Sequence, residues 1–283
     1  MNYEIKALSS VLGAEIRGID LANQNLAQKD IEQLYDLIHQ HKVLVFRDQS
    51  FSLEQQIKAC SQFGAIELHP AKEVPWGYRE LTYVANTDPT YTQILDHCGP
   101  TFELWHSDTC YLPKPARISM LYAERVPQEG GETLFSNTVQ AYEDLPESIK
   151  TLLDDKKAVF GSGQQLMNRC QARGYALHIP SSEIEPDVIH PVIRTHPYTQ
   201  QKSIFVNWAH TDRILDMPEE ESKKLLDYLY EHTTSERYRY DHYPQQGDLI
   251  VWDNAATLHS NTEKKLKEIR IMRRVMIQGT TPY

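Results

Sequence analysis

From residue 117 onward the apolar residues come in short runs broken by turns, and this limits the possible folds more than any other feature. Residues 117–122, 203–206, 249–252 and 269–277 each have the length and β-favouring composition of a strand. Few of these runs are separated by the long helical crossovers that a parallel sheet requires. The pattern predicts a mainly β chain with flanking helices, an antiparallel barrel or jelly roll rather than a doubly wound sheet. Helical periodicity is clearest near the start, where Ile31, Leu34, Leu37 and Ile38 share a face ahead of the strand-like Val43-Leu44-Val45-Phe46. Ser52-Leu53-Glu54-Gln55 has the form of a capping box, so a second helix is expected at about 53–63, ending at Gly64. Later helices are expected at about 146–155 and 218–231, the second with Pro218 in its first turn.

At 283 residues the chain can form one decorated domain. A long Tyr- and Pro-containing stretch at about 65–104 reads as a lid-like insertion over a site, and about 160–190 as a second irregular segment. The net charge of −10 disfavours a surface built for nucleic acid or anionic lipid. No run approaches about 18 apolar residues, and the N-terminus lacks the form of a signal peptide, so a cytoplasmic protein is expected. Cys60, Cys98, Cys110 and Cys170 are widely spaced and contain no Cys-x-x-Cys pair, which fits free thiols better than a disulfide framework or zinc knuckle.

Two histidines and one carboxylate on one face of a metal ion are the ligand set of non-haem Fe(II) oxygenases. A His-x-Asp on a strand supplies two of the three, because residues i and i+2 point to the same side. The chain has two such triplets, His106-Ser107-Asp108 and His210-Thr211-Asp212, and its composition gives about two His-x-acid triplets by chance. Context favours the first, which follows Trp105 and precedes a strand and the Gly130-Gly131-Glu132-Thr133 turn. His210 reads as a loop residue before a helix. His259, shortly after the apolar run ending at Trp252, fits the distal histidine.

The last strand adds a second constraint. Arg270, Met272, Arg274 and Met276 share one face by period 2, and Ile269, Ile271, Val275 and Ile277 share the other. The apolar face must pack. If the arginine face looks inward, two guanidiniums about 13 Å apart need two anionic partners, because unpaired buried charge is costly. The alternative is an outward-facing arginine strand.

Taken in order, these residues resemble the taurine dioxygenase/TfdA-type family of Fe(II)- and 2-oxoglutarate-dependent dioxygenases. The likeness runs from about residue 12 to the C-terminus. It is carried by Leu12-Gly13-Ala14-Glu15-Ile16-Arg17-Gly18, Leu104-Trp105-His106-Ser107-Asp108, Gly130-Gly131-Glu132-Thr133-Leu134, His190-Pro191-Val192-Ile193-Arg194-Thr195-His196-Pro197, Trp252-Asp253-Asn254 and Arg270-Ile271-Met272-Arg273-Arg274. The resemblance implies a double-stranded β-helix, or jelly roll. It implies Fe(II) held by His106, Asp108 and His259, with 2-oxoglutarate and O2 as cosubstrates, and makes the His210 triplet incidental. Thr133 and Arg270 would hold the distal carboxylate of 2-oxoglutarate, Arg274 the substrate's acidic group, and Trp252 would pack near the metal. The implied reaction is oxidation, most simply hydroxylation, of a small anionic substrate such as a sulfonate, sulfate ester or carboxylate, releasing succinate and CO2.

The substrate side departs from taurine-using members. His69-Pro70 matches a His-Pro pair that helps bind sulfonate, but Lys72 stands where a tyrosine is expected and Phe102 where an asparagine is. Lys72 either points inward to a second anionic group or is a solvated lid lysine, and Phe205 either lines the pocket or packs in the core. A zinc-type metallohydrolase using the same triad and a non-catalytic jelly-roll binding protein are the competing readings, and a homo-oligomer is left open.

Overall fold

A computed structural model describes residues 3–69, 74–86, 104–172, 179, 184–261 and 266–283. Strands β1 (Glu4–Ala7), β2 (Ala14–Arg17), β3 (Val43–Phe46), β4 (Thr82–Ala85), β5 (Ile118–Arg125) and β6 (Thr133–Asn137) come first. They are followed by β7 (Lys157–Phe160), β8 (Val188–Pro191), β9 (Ile193–Thr195), β10 (Lys202–Ile204) and β11 (Thr211–Ile214). The chain closes with β12 (Arg239–His242), β13 (Leu249–Asp253), β14 (Thr257–Asn261) and β15 (Ile271–Ile277). Among the described residues a seven-stranded sheet has the order β1-β2-β3-β13-β5-β15-β4, and a three-stranded sheet the order β12-β6-β14. Their pairings are antiparallel except β2 with β3. This is the mainly β jelly roll with flanking helices that the spacing of the strand runs implied.

Alternation along the large sheet builds two apolar layers. On the inner face Val43, Val45, Leu121, Ala123, Ile250, Trp252 and Met272 meet Phe135 of the small sheet. On the outer face Leu44, Phe46, Met120, Tyr122, Leu249, Val251, Val275 and Ile277 pack with residues of helices α1 (Gln28–His41) and α2 (Leu53–Ser61). Helix α1 buries Ile31, Leu34 and Ile38, the face its periodicity marked, and α2 carries the full capping box at Ser52 and Gln55.

Some expectations shift by a residue or more. The late helices are Glu147–Leu153 and Glu219–Thr233, and Pro218 is the N-cap of the second rather than part of its first turn. The 160–190 segment is less irregular than expected, since it contains helix Gln164–Ala172 and the start of β8. The lid-like stretch contributes β4, paired with β15, while residues 70–73 and 87–103 lie outside the described residues. Lys72 and Phe102 therefore lie outside them as well. Cys60 and Cys110 are buried free thiols. No helix among the described residues is long and apolar enough to cross a membrane.

Candidate active site

Backbone pairing, rather than side-chain reach, brings His106 and His259 together. His259 on β14 donates its N–H to the His106 carbonyl at 2.8 Å, and His106 donates to the His259 carbonyl at 3.0 Å. Such cross-strand partners share a face, and the two rings stand 4.2 Å apart between centroids. Asp108 arrives differently from the strand placement read in the sequence. Only His106 pairs as a strand, and the chain turns at once, with Thr109 at φ 51°. That turn puts Asp108 Oδ1 3.9 Å from Nε2 of both histidines.

Asn254, just after β13, fixes the turn. Its Oδ1 accepts from the Asp108 N–H at 2.8 Å and from Ser107 Oγ at 3.1 Å. Its Nδ2 donates to the Asp108 and Ala116 carbonyls, each at 2.9 Å. Ser119 of β5 donates to Asp108 Oδ2 at 2.6 Å, which leaves Oδ1 directed at the histidines. Trp252 packs its ring 4.8 Å from that of His259.

The hydrogen bonds also decide which nitrogens keep a lone pair. His106 Nδ1 lies 2.8 Å from the Leu104 carbonyl, an acceptor only, so Nδ1 carries the proton and Nε2 is a free donor to a metal. A second group, His39, His196 and Asp253, has the same composition, and in both groups the ligand atoms lie within 4.8 Å of one another. There His196 Nδ1 accepts from the N–H groups of Tyr198 and Thr199 at 3.2 and 3.0 Å, so the proton sits on Nε2 and is donated to Asp253 at 3.0 Å. His196 keeps no lone pair for an ion. The residues at His106, Asp108 and His259 fit a metal, and those at His196 and Asp253 form a hydrogen-bonded pair instead.

The electrostatics agree. Burial, helped by the neighbouring His259, pushes the His106 imidazole down to about 3, and burial lowers His259 also, so both are neutral at pH 7. Burial works to raise the Asp108 carboxyl, but Arg274, His259 and His106 outweigh it and hold the group well below the usual carboxylate range. The donor set is thus two neutral imidazoles and one carboxylate, the deprotonated forms a metal requires.

The arginine face of the last strand looks inward. Met272 joins the inner core and Arg274 reaches Asp108, donating from Nη1 to Oδ1 at 2.6 Å. The Arg274 Nε is buried and has no partner among the described residues. Arg270, 2% exposed, donates to the Gly131 carbonyl at 3.1 Å and approaches Thr133 Oγ1 at 3.4 Å. Gly131, at φ 77°, must be small as well as left-handed, because a Cβ there would meet the Arg270 stem at 3.1 Å and Pro127 at 3.0 Å. Val275 and Ile277 pack outward as expected, but a register shift at Ile271 and Met272 leaves Ile271 half-buried, and Ile269 is 37% exposed.

Phe205 is 2% exposed in a second core cluster, where it stacks on Phe160 at 5.1 Å, the packing position that was one of its two readings. His69 is half-buried, with its backbone held by Arg79 and its ring edge-on to Trp76. His210 stands beside the triad. It precedes strand β11 rather than a helix, and its ring lies 6.1 Å from His106 and 4.9 Å from Tyr111. Its Nδ1 lies 2.9 Å from the Gly161 carbonyl, and burial with the nearby His106 pushes its pKa down to about 4. Asp212 of the same triplet pairs with Arg213 outside the triad.

Sequence reasoning also passed over Glu67. Ile66 pairs with Ile277, and Glu67 donates its N–H to the Met276 carbonyl at 2.8 Å. Alternation then puts Glu67 on the Met276 and Arg274 side. Burial first, and Asp108 second, raise its carboxyl to about 7, while Arg274 opposes them. Nothing in the local sequence marks it, because the pairing that aims it at the site comes from the far end of the chain.

A jelly roll with two neutral histidines and a carboxylate converging at one end, and two inward arginines behind them, defines the class of 2-oxoglutarate-dependent dioxygenases. The chain belongs to the taurine catabolism dioxygenase TauD, TfdA family, whose pattern matches residues 4–276. It is 31% identical over 279 residues to an alpha-ketoglutarate-dependent 2,4-dichlorophenoxyacetate dioxygenase of a Burkholderia species, covering 90% of this chain and 87% of that one. It is 28% identical over 283 residues to an alkylsulfatase of Acinetobacter baylyi, covering 98% and 85%. The crystal structure of AAD-2 in complex with Mn(II) and N-oxalylglycine is similar at a TM-score of 0.82 and 28% identity, covering all of this chain and 98% of that one. The enzyme is accordingly an alpha-ketoglutarate-dependent dioxygenase, using 2-oxoglutarate and O2.

Proposed function

We propose that this chain is one catalytic unit that holds Fe(II) through His106, Asp108 and His259 and oxidises a small anionic substrate, a sulfonate, sulfate ester or carboxylate. The observation that carries the reading is the convergence of the two imidazole Nε2 atoms on Asp108 Oδ1, with Arg274 beside them. When bound, the metal with 2-oxoglutarate and O2 supplies the oxidising power for hydroxylation, and succinate and CO2 leave as co-products.

The protein's own residues bind and orient. Arg270 and Thr133 stand together and would offer a guanidinium and a hydroxyl to the distal carboxylate of 2-oxoglutarate. Arg274 presents a guanidinium beside Asp108 that would hold the substrate's acidic group next to the metal. Tyr111 and His210 form an aromatic wall beside His106. Relatives named for alkyl sulfate and phenoxy-acid chemistry support a small organic anion.

The test is O2 uptake and succinate formation by the Fe(II)-loaded enzyme across sulfonates, sulfate esters, aryloxy acids and amino-acid-derived carboxylates. One class should stimulate both in equal amounts. Turnover with zinc under anaerobic conditions, indifferent to 2-oxoglutarate, would contradict the proposal.

A further inference from the structure

The connection between β13 and β14 bears on two of the three triad residues at once. It is only three residues long, and Asn254, its first residue, grips the Asp108 turn, while β14, into which it leads, carries His259. Whatever fixes this connection helps to set Asp108 against His259. Main-chain bonds tie its start, the Asp253 N–H to the Lys42 carbonyl at 2.9 Å and the Asn254 N–H to the Arg117 carbonyl at 3.1 Å. Hydroxyls tie its far side, with Ser203 Oγ donating to the Ala255 carbonyl at 3.0 Å and Thr257 Oγ1 to the Asp253 carbonyl at 2.8 Å.

The Asp253 carboxylate joins this connection to the β9–β10 hairpin. Its Oδ1 accepts the Ala255 N–H at 3.1 Å and its Oδ2 accepts from His196 Nε2 at 3.0 Å. Both His196 and Asp253 are 2% exposed. The His196 ring is held in one tautomer, because Nδ1 already accepts two backbone N–H groups, and it stands edge-on to His39 with 5.1 Å between centroids. Among the described residues no other side chain donates to Asp253; Lys42 donates instead to the His39 carbonyl and to Gln201. Burial works to raise the Asp253 carboxyl, but the hydrogen bond from His196, with His39 and Lys42 nearby, outweighs it and keeps the group ionised at pH 7. A carboxylate buried this deeply contributes little net stability compared with apolar side chains of similar volume. What it supplies instead is an acceptor for two donors at once, one in the hairpin and one in the connection.

We propose that His196 and Asp253 are positioning residues for the metal centre, which hold the β13–β14 connection so that Asn254 keeps Asp108, and β14 keeps His259, in register for one ion. The proposal rests on the reading of His106, Asp108 and His259 as the iron ligands, and extends it to a pair that makes no hydrogen bond to any of their side chains.

The experiment measures, anaerobically and on the full chain, the Fe(II) dissociation constant and the position of the visible band formed with 2-oxoglutarate. His196→Phe keeps a ring and removes the donor, and should weaken Fe(II) binding about tenfold or more and shift the band. His196→Gln, whose amide can still donate to Asp253, should recover much of both. Asp253→Asn leaves the side-chain volume nearly unchanged, and keeps the test open if His196→Phe does not fold. Since His196 cannot move its proton, the new amide must face either that N–H or the Ala255 N–H with its own donor, so the same loss is expected. Leu153→Ala, in the second core cluster, is the control for lowered stability alone and should leave both readings unchanged. Wild-type affinity and band position in folded His196→Phe or Asp253→Asn, an equal loss in Leu153→Ala, or a His196→Gln no better than His196→Phe would overturn the role of the pair. Absence of the band in wild-type protein would instead count against the metal and cosubstrate reading, so the two failures are distinguishable.

Discussion

Arg270 is nearly inaccessible to solvent, and its charge sits beside Thr133 and the Gly131 carbonyl. On the proposed reading, removing it takes away the cation that would face the distal carboxylate of 2-oxoglutarate while leaving His106, Asp108 and His259 in place. Arg270→Ala should weaken 2-oxoglutarate binding by about 2–5 kcal/mol and metal binding by far less. Calorimetric titration of each ligand checks this, and equal losses would contradict the assignment. His210 makes a different prediction. Its ordinary value of 6.5 falls to about 4 in the folded protein, so between those values the unfolded chain binds a proton that the folded chain does not. Its contribution to stability is complete above about pH 6.5 and is lost as pH falls toward 4. His210→Phe keeps an aromatic ring without a titrating group, and should reduce the loss of unfolding free energy between pH 7.5 and pH 5 by roughly 1–2 kcal/mol. Denaturant melts of the metal-free protein at the two pH values measure it.

At the scale of elements the site depends on a turn and a glycine. Asn254 satisfies the backbone N–H and carbonyl of Asp108 and the Ala116 carbonyl, so Asn254→Ala orphans three buried backbone groups. A stability loss of about 3 kcal/mol is expected, with weaker metal binding, read from a thermal melt and a metal titration. Gly131→Ala adds a methyl against the Arg270 stem at a left-handed position. It should impair 2-oxoglutarate affinity more than metal affinity, in the manner of Arg270→Ala. Elements of this kind were unevenly legible in the sequence. The capping box at Ser52, the α1 face and the shared face of Met272, Arg274 and Met276 follow from local periodicity, which is intrinsic to the chain. Ile269 and Ile271 escaped it because the register shift in β15 is set by the partner strand. Asp108 was expected beside His106 for an incomplete reason, since the turn that brings it to the two histidines depends on Asn254, far along the chain.

For the whole molecule, the cluster of His106, Asp108 and His259 could be picked out because its residue types are chemically restrictive and lie in ordered motifs. The pocket wall could not. Glu67 and His210 are ordinary residues until β15 and β11 carry them to the triad, and Phe205 looked eligible until the second core cluster claimed it. The fold and the meeting of the three residues were therefore accessible from sequence, whereas the side chains around them are set by long-range pairing. The central claim is that His106, Asp108 and His259 bind Fe(II) in a form that accepts 2-oxoglutarate. It is tested most directly by adding Fe(II) and then 2-oxoglutarate to metal-free protein under anaerobic conditions and recording the visible spectrum. A weak charge-transfer band that saturates at one equivalent of iron, and is absent in His259→Ala, is the predicted result. No band in folded wild-type protein, or a band that survives in His259→Ala, would contradict the account.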